Sequence, residues 1–177
     1  MEIITIKKNM ACFAEYKRLL QAVCKDETKE NIYNIVYSSG KELVVTDEHR
    51  IHMIINQELI FDGFEHDTSY KVIAETAKEI ILQKTDIKKF PDYGLIIPKD
   101  DILTKCHDVN ISKKDTTGLS LVYCGIYEAT KTVINIAYLE DLGDDCYTLY
   151  YHKDTKEKPL FFQNKNFKAV VMSIKQS

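Results

Sequence analysis

The stretch from Met10 to Cys24 predicts an amphipathic helix between a strand and a series of short strands, and this order restricts the fold more than any other feature. Its apolar residues recur at helical spacing: Met10, Phe13, Leu20 and Val23, with Tyr16 and Leu19 between them. Polar residues take the other side: Glu15, Lys17, Arg18 and Gln21. Asn9 is placed to cap the first turn. We expect Phe13 and Leu20 to be buried and Lys17 and Arg18 to be exposed.

Short runs rich in β-branched and aromatic residues surround this helix and predict strands. One run precedes it, and three follow it: Ile3 to Ile6, then Tyr33 to Tyr37, Glu42 to Thr46 and Arg50 to Asn56. The segment from Tyr70 to Thr85 has a composition compatible with either a helix or a hairpin, and we favour a hairpin. The first half therefore predicts a strand, a helix and a meander of strands.

The second half begins after a turn at Phe90 to Gly94, where proline and glycine favour a chain reversal. Helices are predicted at Asp101 to His107 and at Ala137 to Leu142. Strands are predicted at Leu95 to Ile97, Leu119 to Tyr127, Thr132 to Ile136, Tyr147 to His152, Pro159 to Gln163 and Phe167 to Ile174. The predicted fold class is α+β, with βαβββ lobes, a mostly antiparallel sheet and helices on one face. Residues 1–89 and 90–177 form either two lobes or one composite domain.

Composition excludes several classes of protein. The 177 residues are 45% hydrophobic with a net charge of −3, which argues against disorder and against a globally basic nucleic-acid binder. No apolar run approaches the roughly 20 residues of a membrane span, and the N-terminus does not resemble a signal peptide, so we expect a cytoplasmic protein. The cysteines lack the spacing of disulfide or zinc frameworks and are expected to be mostly buried thiols: Cys12, Cys24, Cys106, Cys124 and Cys146.

No pattern predicts catalysis, a metal or a cofactor. His49 and His52 fall on opposite faces of a strand, and Asp47 with His49 is more typical of a solvated turn than of an acid–base pair. Cys106 and His107 are adjacent, and neighbouring side chains rarely point toward each other. The six glycines form no phosphate-binding motif. We keep an enzyme acting through Asp47 and His49 as a distant alternative.

Three separated blocks, in order, resemble the second and third domains of the bacterial β sliding clamp, the DNA polymerase III beta subunit. Val44 to Ile51 reads VVTDEHRI and is similar to that family's ATDGHRLA. Lys89 to Pro98 reads KFPDYGLIIP and is similar to GKFPDYRRVIP, whereas Phe167 to Lys175 reads FKAVVMSIK and is similar to YVVMPMR. Ile134 to Leu142, INIAYLEDL, is a fainter match to FNVSYLLD. The chain would be a shortened relative of the clamp.

The resemblance implies a hydrophobic pocket that receives short peptide tails of a polymerase or clamp loader. Its residues here would be Thr46, His49, Arg50, Ile51, Pro91, Ile96, Val170 and Met172. Three positions depart from the family pattern: Glu48 replaces a glycine, Leu95 a basic residue and Ser173 a proline. The alternative is that Val170 and Met172 are ordinary core residues of a sheet.

The resemblance also implies encirclement of double-stranded DNA, for which basic helices would line the hole. The first helix and its flanks carry five basic residues against one acidic residue, a net charge of +4, and Lys17 and Arg18 would face the DNA. The predicted helix at Ala137 to Leu142 lies in an acidic stretch that contains Glu140, Asp141, Asp144 and Asp145. A ring would require a homo-oligomer. Two functions therefore stay open: a processivity factor, or a clamp-like peptide-binding module that does not encircle DNA.

Overall fold

The computed structural model describes seven stretches of the chain: 2–23, 34–60, 63–87, 90–97, 102–112, 116–152 and 159–174. These stretches form two compact units. The first unit holds the chain up to Asp92 together with Lys165–Phe167. The second unit holds Tyr93–Asn164 and the chain from Lys168 onward.

In its described residues, the first unit contains one α-helix and an antiparallel sheet. Its elements are β1 (Ile3–Lys7), α1 (Phe13–Leu19), β2 (Ile35–Ser38), β3 (Leu43–Thr46), β4 (Arg50–Ile54), β5 (Thr68–Glu75) and β6 (Glu79–Thr85). The strand order is β1-β6-β5-β2-β3-β4. A 3-10 turn at Leu20–Ala22 continues α1 and packs with it against β4. A buried core lies between helix and sheet, and it includes Leu19, Leu43 and Ile54.

The part of the second unit that the structure describes has two α-helices and a four-stranded antiparallel sheet. Its elements are β7 (Leu103–Ile111), α2 (Thr116–Thr130), α3 (Ala137–Asp141), β8 (Asp145–His152), β9 (Leu160–Gln163) and β10, which spans Phe167–Val171 and begins at the unit boundary. The strand order is β10-β9-β8-β7. Tyr147 of β8 is buried and its hydroxyl donates to the Leu142 carbonyl, 2.7 Å away at the end of α3. The helices therefore cover the sheet face that carries Tyr147.

The predicted fold class is confirmed. A strand, a helical segment and three strands occur in that order twice, first as β1 to β4 and again as β7 to β10 with two helices after the first strand. The β5–β6 hairpin lies between the two and agrees with the hairpin favoured for Tyr70 to Thr85. Within the stretches that the structure describes, the paired strands run antiparallel to each other.

The first helix is shorter than its sequence pattern predicts. It begins at Phe13, and Cys12 occupies the cap position without a side-chain hydrogen bond, so the predicted cap at Asn9 is wrong. Leu20 is buried as expected, but Phe13 is only half-buried. The apolar spacing extends beyond the helix because the chain continues as a turn on each side, and those turns also contact the core.

Several predictions for the second half are wrong. Leu119 to Tyr127 lies in helix α2, Asp101 to His107 lies mostly in strand β7, and Leu95 belongs to a 3-10 turn at Tyr93–Leu95. Thr132 to Ile136 is not a strand either. The β-branched and aromatic residues of α2 suggest a strand, yet Leu119 and Ile126 are both buried two helical turns apart. Tertiary packing therefore decides the structure against local propensity.

None of the helices in the described stretches is long and apolar enough to cross a membrane.

Candidate functional site

The turn between β3 and β4 is held by a dense set of hydrogen bonds. The Thr46 hydroxyl donates to the Arg50 carbonyl at 2.8 Å and accepts from the Glu48 amide at 3.2 Å. The Asp47 carboxylate accepts from the amides of His49 and Arg50, each at 3.0 Å, and from the Arg50 Nε at 3.0 Å. Asp47 therefore fixes both the turn and the guanidinium of Arg50, which also donates to the Gln21 carbonyl.

Glu48 adopts the left-handed conformation in this turn, with φ of 76°. This is the position where the sliding-clamp motif carries glycine. A side chain in that region brings its Cβ close to the following carbonyl, at a cost of about 1–2 kcal/mol, whereas glycine has no Cβ. Glu48 therefore takes a backbone conformation in which glycine would be less strained.

We expect the variant Glu48→Gly to be more stable than Glu48→Ala by about 1 kcal/mol, because alanine keeps the Cβ and glycine removes it. Both variants lose the carboxylate, so their difference isolates the backbone effect. Urea unfolding midpoints measure it. Equal midpoints for the two variants would show that the turn carries no such strain.

An apolar cavity of about 430 Å³ lies within the second unit. It is lined by Leu95, Ile96, Ile102, His152, Pro159, Phe161 and Met172. Six of these seven side chains are apolar, and Leu95, Ile96 and Ile102 are exposed. The cavity lies on the sheet face opposite the helices, since His152 and Tyr147 are an odd number of residues apart on β8. Its volume falls within the usual range for ligand pockets.

The structure brings together two of the eight predicted pocket residues in this cavity, Ile96 and Met172. Val170 is fully buried, with 0% of its surface exposed, and pairs with Phe161 of the cavity wall. The other predicted residues belong to the first unit: Thr46, His49, Arg50 and Ile51 in the β3–β4 region, and Pro91. Thr46 and Ile51 are 6% and 3% exposed, whereas His49 is exposed. The contribution of these five residues to a pocket stays a prediction.

Five residues of the cavity were not among the predicted pocket residues: Leu95, Ile102, His152, Pro159 and Phe161. The sequence does carry a signal for Phe161, because it lies in the predicted strand from Pro159 to Gln163. That strand has to pair with a neighbour, and as β9 it pairs with β10, the strand that leads to Met172. Ile102 falls within a predicted helix, so its place directly before β7 does not follow from the sequence pattern.

Lys17 and Arg18 of α1, predicted to face DNA, are half-buried and engaged within the first unit. Lys17 forms an ion pair with Glu75 of β5. The Arg18 guanidinium lies over the Phe167 ring, 5.4 Å from its centroid, while the Arg18 carbonyl lies 2.9 Å from Nδ1 of buried His52. Predicting both side chains as simply exposed was therefore wrong. Helix α2 contains no lysine or arginine, and its only charged residue is Glu128.

Cys106 and His107 contact each other, contrary to expectation: the sulfur lies 2.9 Å from Nδ1 of the ring. The pairing of β7 with β8 shifts register between Lys105 and Asp108, and this irregularity breaks the alternation of side chains. Burial raises the pKa of the Cys106 thiol, so the contact does not create an activated thiolate. Of the four described cysteines only Cys12 is buried, so the expectation of mostly buried thiols is wrong.

Among the described residues, no three metal-binding side chains cluster closely enough to hold an ion. His49 is exposed and His52 is buried. Asp47 and His49 meet through a backbone amide, with the carboxylate turned toward Arg50. The Asp47 carboxylate therefore stabilises the turn and is not paired with the His49 ring as acid and base.

No protein-family model and no curated protein matches the sequence. Solved structures do. The DNA polymerase III beta subunit of Borrelia burgdorferi, in complex with a natural product, superposes over 100% of this chain with a TM-score of 0.60 and 14% identity. The subunit of Thermotoga maritima gives 0.56 at 14% identity over 98% of the chain, and the Helicobacter pylori beta clamp bound to a DNA ligase peptide gives 0.53 at 13% over 98%.

The architecture is therefore that of the bacterial DNA clamps, which confirms the resemblance carried by the three sequence blocks. The chain has a beta-clamp-like fold. It spans 64% of the length of the Borrelia subunit and 66% of the Thermotoga and Helicobacter chains. At 12–14% identity these similarities establish the fold only. The function has to be argued from the residues of the candidate site.

Proposed function

We propose that this protein is a non-catalytic, clamp-like replication factor that docks short hydrophobic peptides from polymerases or other replication proteins. The observation that carries the proposal is the apolar cavity of the second unit, which includes Ile96 and Met172, two residues that the sequence resemblance to the clamps also selects. The Helicobacter clamp, which shares the fold, binds a DNA ligase peptide. Such a role would be exercised in the cytoplasm.

The lining of the cavity suits a peptide anchor. Leu95, Ile96 and Ile102 expose apolar surface to water, and an apolar side chain that covers them gains about 25 cal/mol for each square ångström removed from water. Met172 is flexible and polarizable, which allows one cavity to accept different side chains. The peptide loses conformational freedom on binding, so we expect micromolar affinity, on the order of −8 kcal/mol.

Calorimetric titration with the DNA ligase peptide seen on the Helicobacter clamp tests the proposal. A micromolar dissociation constant with one peptide for each chain would support it. Absence of heat at peptide concentrations up to about a millimolar would overturn peptide docking of the clamp kind. A peptide of the same composition in scrambled order serves as the control for non-specific apolar binding.

Peptide docking fits two candidates: a processivity factor that encircles DNA, and a clamp-like module that docks peptides without encircling DNA. Helix α2 favours the module, because a helix without lysine or arginine offers phosphate no attraction. The α3 region adds Glu140, Asp141, Asp144 and Asp145. On α1, the Lys17 charge is already matched by Glu75. A processivity factor would therefore depend on the remaining positive charge near α1 and on self-association.

DNA binding separates the two candidates. If α1 faces DNA, affinity for a short duplex should fall steeply with salt, and replacing Lys17 and Arg18 together by glutamine should weaken it by about tenfold at low salt. Lys41→Gln, in the exposed β2–β3 loop, is the control and should have little effect. Fluorescence anisotropy with a labelled DNA duplex measures the affinity of the parent, of the double variant and of Lys41→Gln. No binding at low salt would leave only the module that does not encircle DNA.

A further inference from the structure

A second, smaller pocket adjoins the apolar cavity and has a different chemical character. It encloses about 200 Å³ within the second unit and is lined by Leu103, Tyr150, Phe161, Gln163 and Lys168. Phe161 lines both pockets, so the two are neighbours on the sheet face opposite the helices, and we call them together the depression. One end of this depression is apolar and the other presents an amide, a hydroxyl and an ammonium group.

Strand pairing explains why the polar groups converge. Lys168 of β10 lies opposite Gln163 of β9, and Phe161 lies opposite Tyr150 of β8. Side chains that face each other across antiparallel strands share one side of the sheet. Lys168 and Gln163 therefore lie side by side, with the Tyr150 ring one strand away on the same face.

Lys168 is the charge in this depression that other charges do not neutralise. In the described stretches, no acidic residue forms an ion pair with its ammonium group. The neighbouring lysine on the same face, Lys105, lies 3.4 Å from the Asp108 carboxylate, which also accepts from the Thr148 hydroxyl. Lys168 is half-buried, so an anion placed beside it interacts in a medium less polar than water.

We propose that the peptide docked by this protein carries a carboxylate, three or four residues from its apolar anchor, that is received by Lys168 and Gln163. The inference rests on the proposed peptide-docking function and names the chemistry of the partner. Met172 and Lys168 are four residues apart along β10 and its continuation, about 14 Å at 3.4 Å for each residue. An extended peptide covers that distance with three or four residues. Lysine and glutamine both donate hydrogen bonds, and bonds to a charged acceptor are the stronger kind.

The test uses synthetic nonapeptides, acetylated and amidated, with a central pair of leucines in a serine background. One pair of peptides places Glu or its isostere Gln three residues before the leucines, and a second pair places it three residues after them, so both chain directions are covered. Binding is measured by competition against the fluorescent ligase peptide at low and at high salt.

In one of the two directions, we expect the Glu peptide to bind about fivefold more tightly than the Gln peptide, and salt should reduce that ratio. Lys168→Gln should bring the ratio to about one, because the Glu peptide then loses its charged partner. The matched control is Lys105→Gln, which should preserve the ratio. Equal binding of Glu and Gln peptides by the parent protein, or a ratio that survives Lys168→Gln, would overturn the inference and leave peptide docking intact. If the synthetic peptides fail to compete while the ligase peptide binds, the inference is overturned and docking stands, whereas failure of the ligase peptide itself to bind would overturn docking and the inference with it.

Discussion

Replacing Met172 by aspartate should abolish peptide binding, with a loss of at least about a hundredfold in affinity. Met172 lines the apolar cavity, where a carboxylate would need either to lose its water or to hold water between itself and the peptide anchor. A hundredfold loss corresponds to about 2.7 kcal/mol. Calorimetry with the ligase peptide measures it.

Met172→Leu is the matched control, because it conserves volume and apolar character and should bind within about threefold of the parent. Met172 follows the last residue of β10 and is half-buried, so both variants should keep the parent's melting temperature to within a few degrees. If Met172→Asp folds and binds the peptide as tightly as the parent, the cavity is not the binding site.

Leu20→Ala should destabilise the protein by about 2–5 kcal/mol. The side chain is 1% exposed in the 3-10 turn that follows α1, and this turn packs against β4. Its removal loses the transfer free energy of the buried atoms and leaves a cavity. Urea unfolding followed by circular dichroism gives the free energy of unfolding.

The same substitution at an exposed leucine provides the control. Leu121 of α2 is 69% exposed, so Leu121→Ala should change stability by no more than about 0.5 kcal/mol. Similar losses for the two variants would show that α1 and its following turn do not pack on the sheet as described.

The sequence is sufficient to predict the order of elements in the first half, because each strand there is short and is bounded by polar turns. The β2 to β4 meander and the β5–β6 hairpin both follow that pattern. The second half is harder to predict. Helix α2 is built from residues with strand propensity, and the helical spacing of its buried apolar residues Leu119 and Ile126 is partly hidden by the exposed Leu121 between them.

The candidate site could be predicted only in part. Ile96 and Met172 follow from the clamp resemblance, but His152 and Phe161 reach the same cavity through the pairing of β7, β8, β9 and β10, a set of long-range contacts that no local pattern encodes. The engagement of Lys17 by Glu75 likewise joins residues 58 positions apart. The pattern of charged residues along one helix does not predict an ion pair with a residue on a distant strand.

Methyl NMR of the chain with labelled isoleucine, leucine and methionine is the most direct test of the central claim. On titration with the ligase peptide, the methyl signals of Leu95, Ile96, Ile102 and Met172 should shift together, because these side chains line the cavity. Signals of Ile3 and Leu121, which are also exposed but lie outside it, should not move. Shifts confined to Leu121 and its neighbours on α2, or no shifts at saturating peptide, would contradict peptide docking in this cavity.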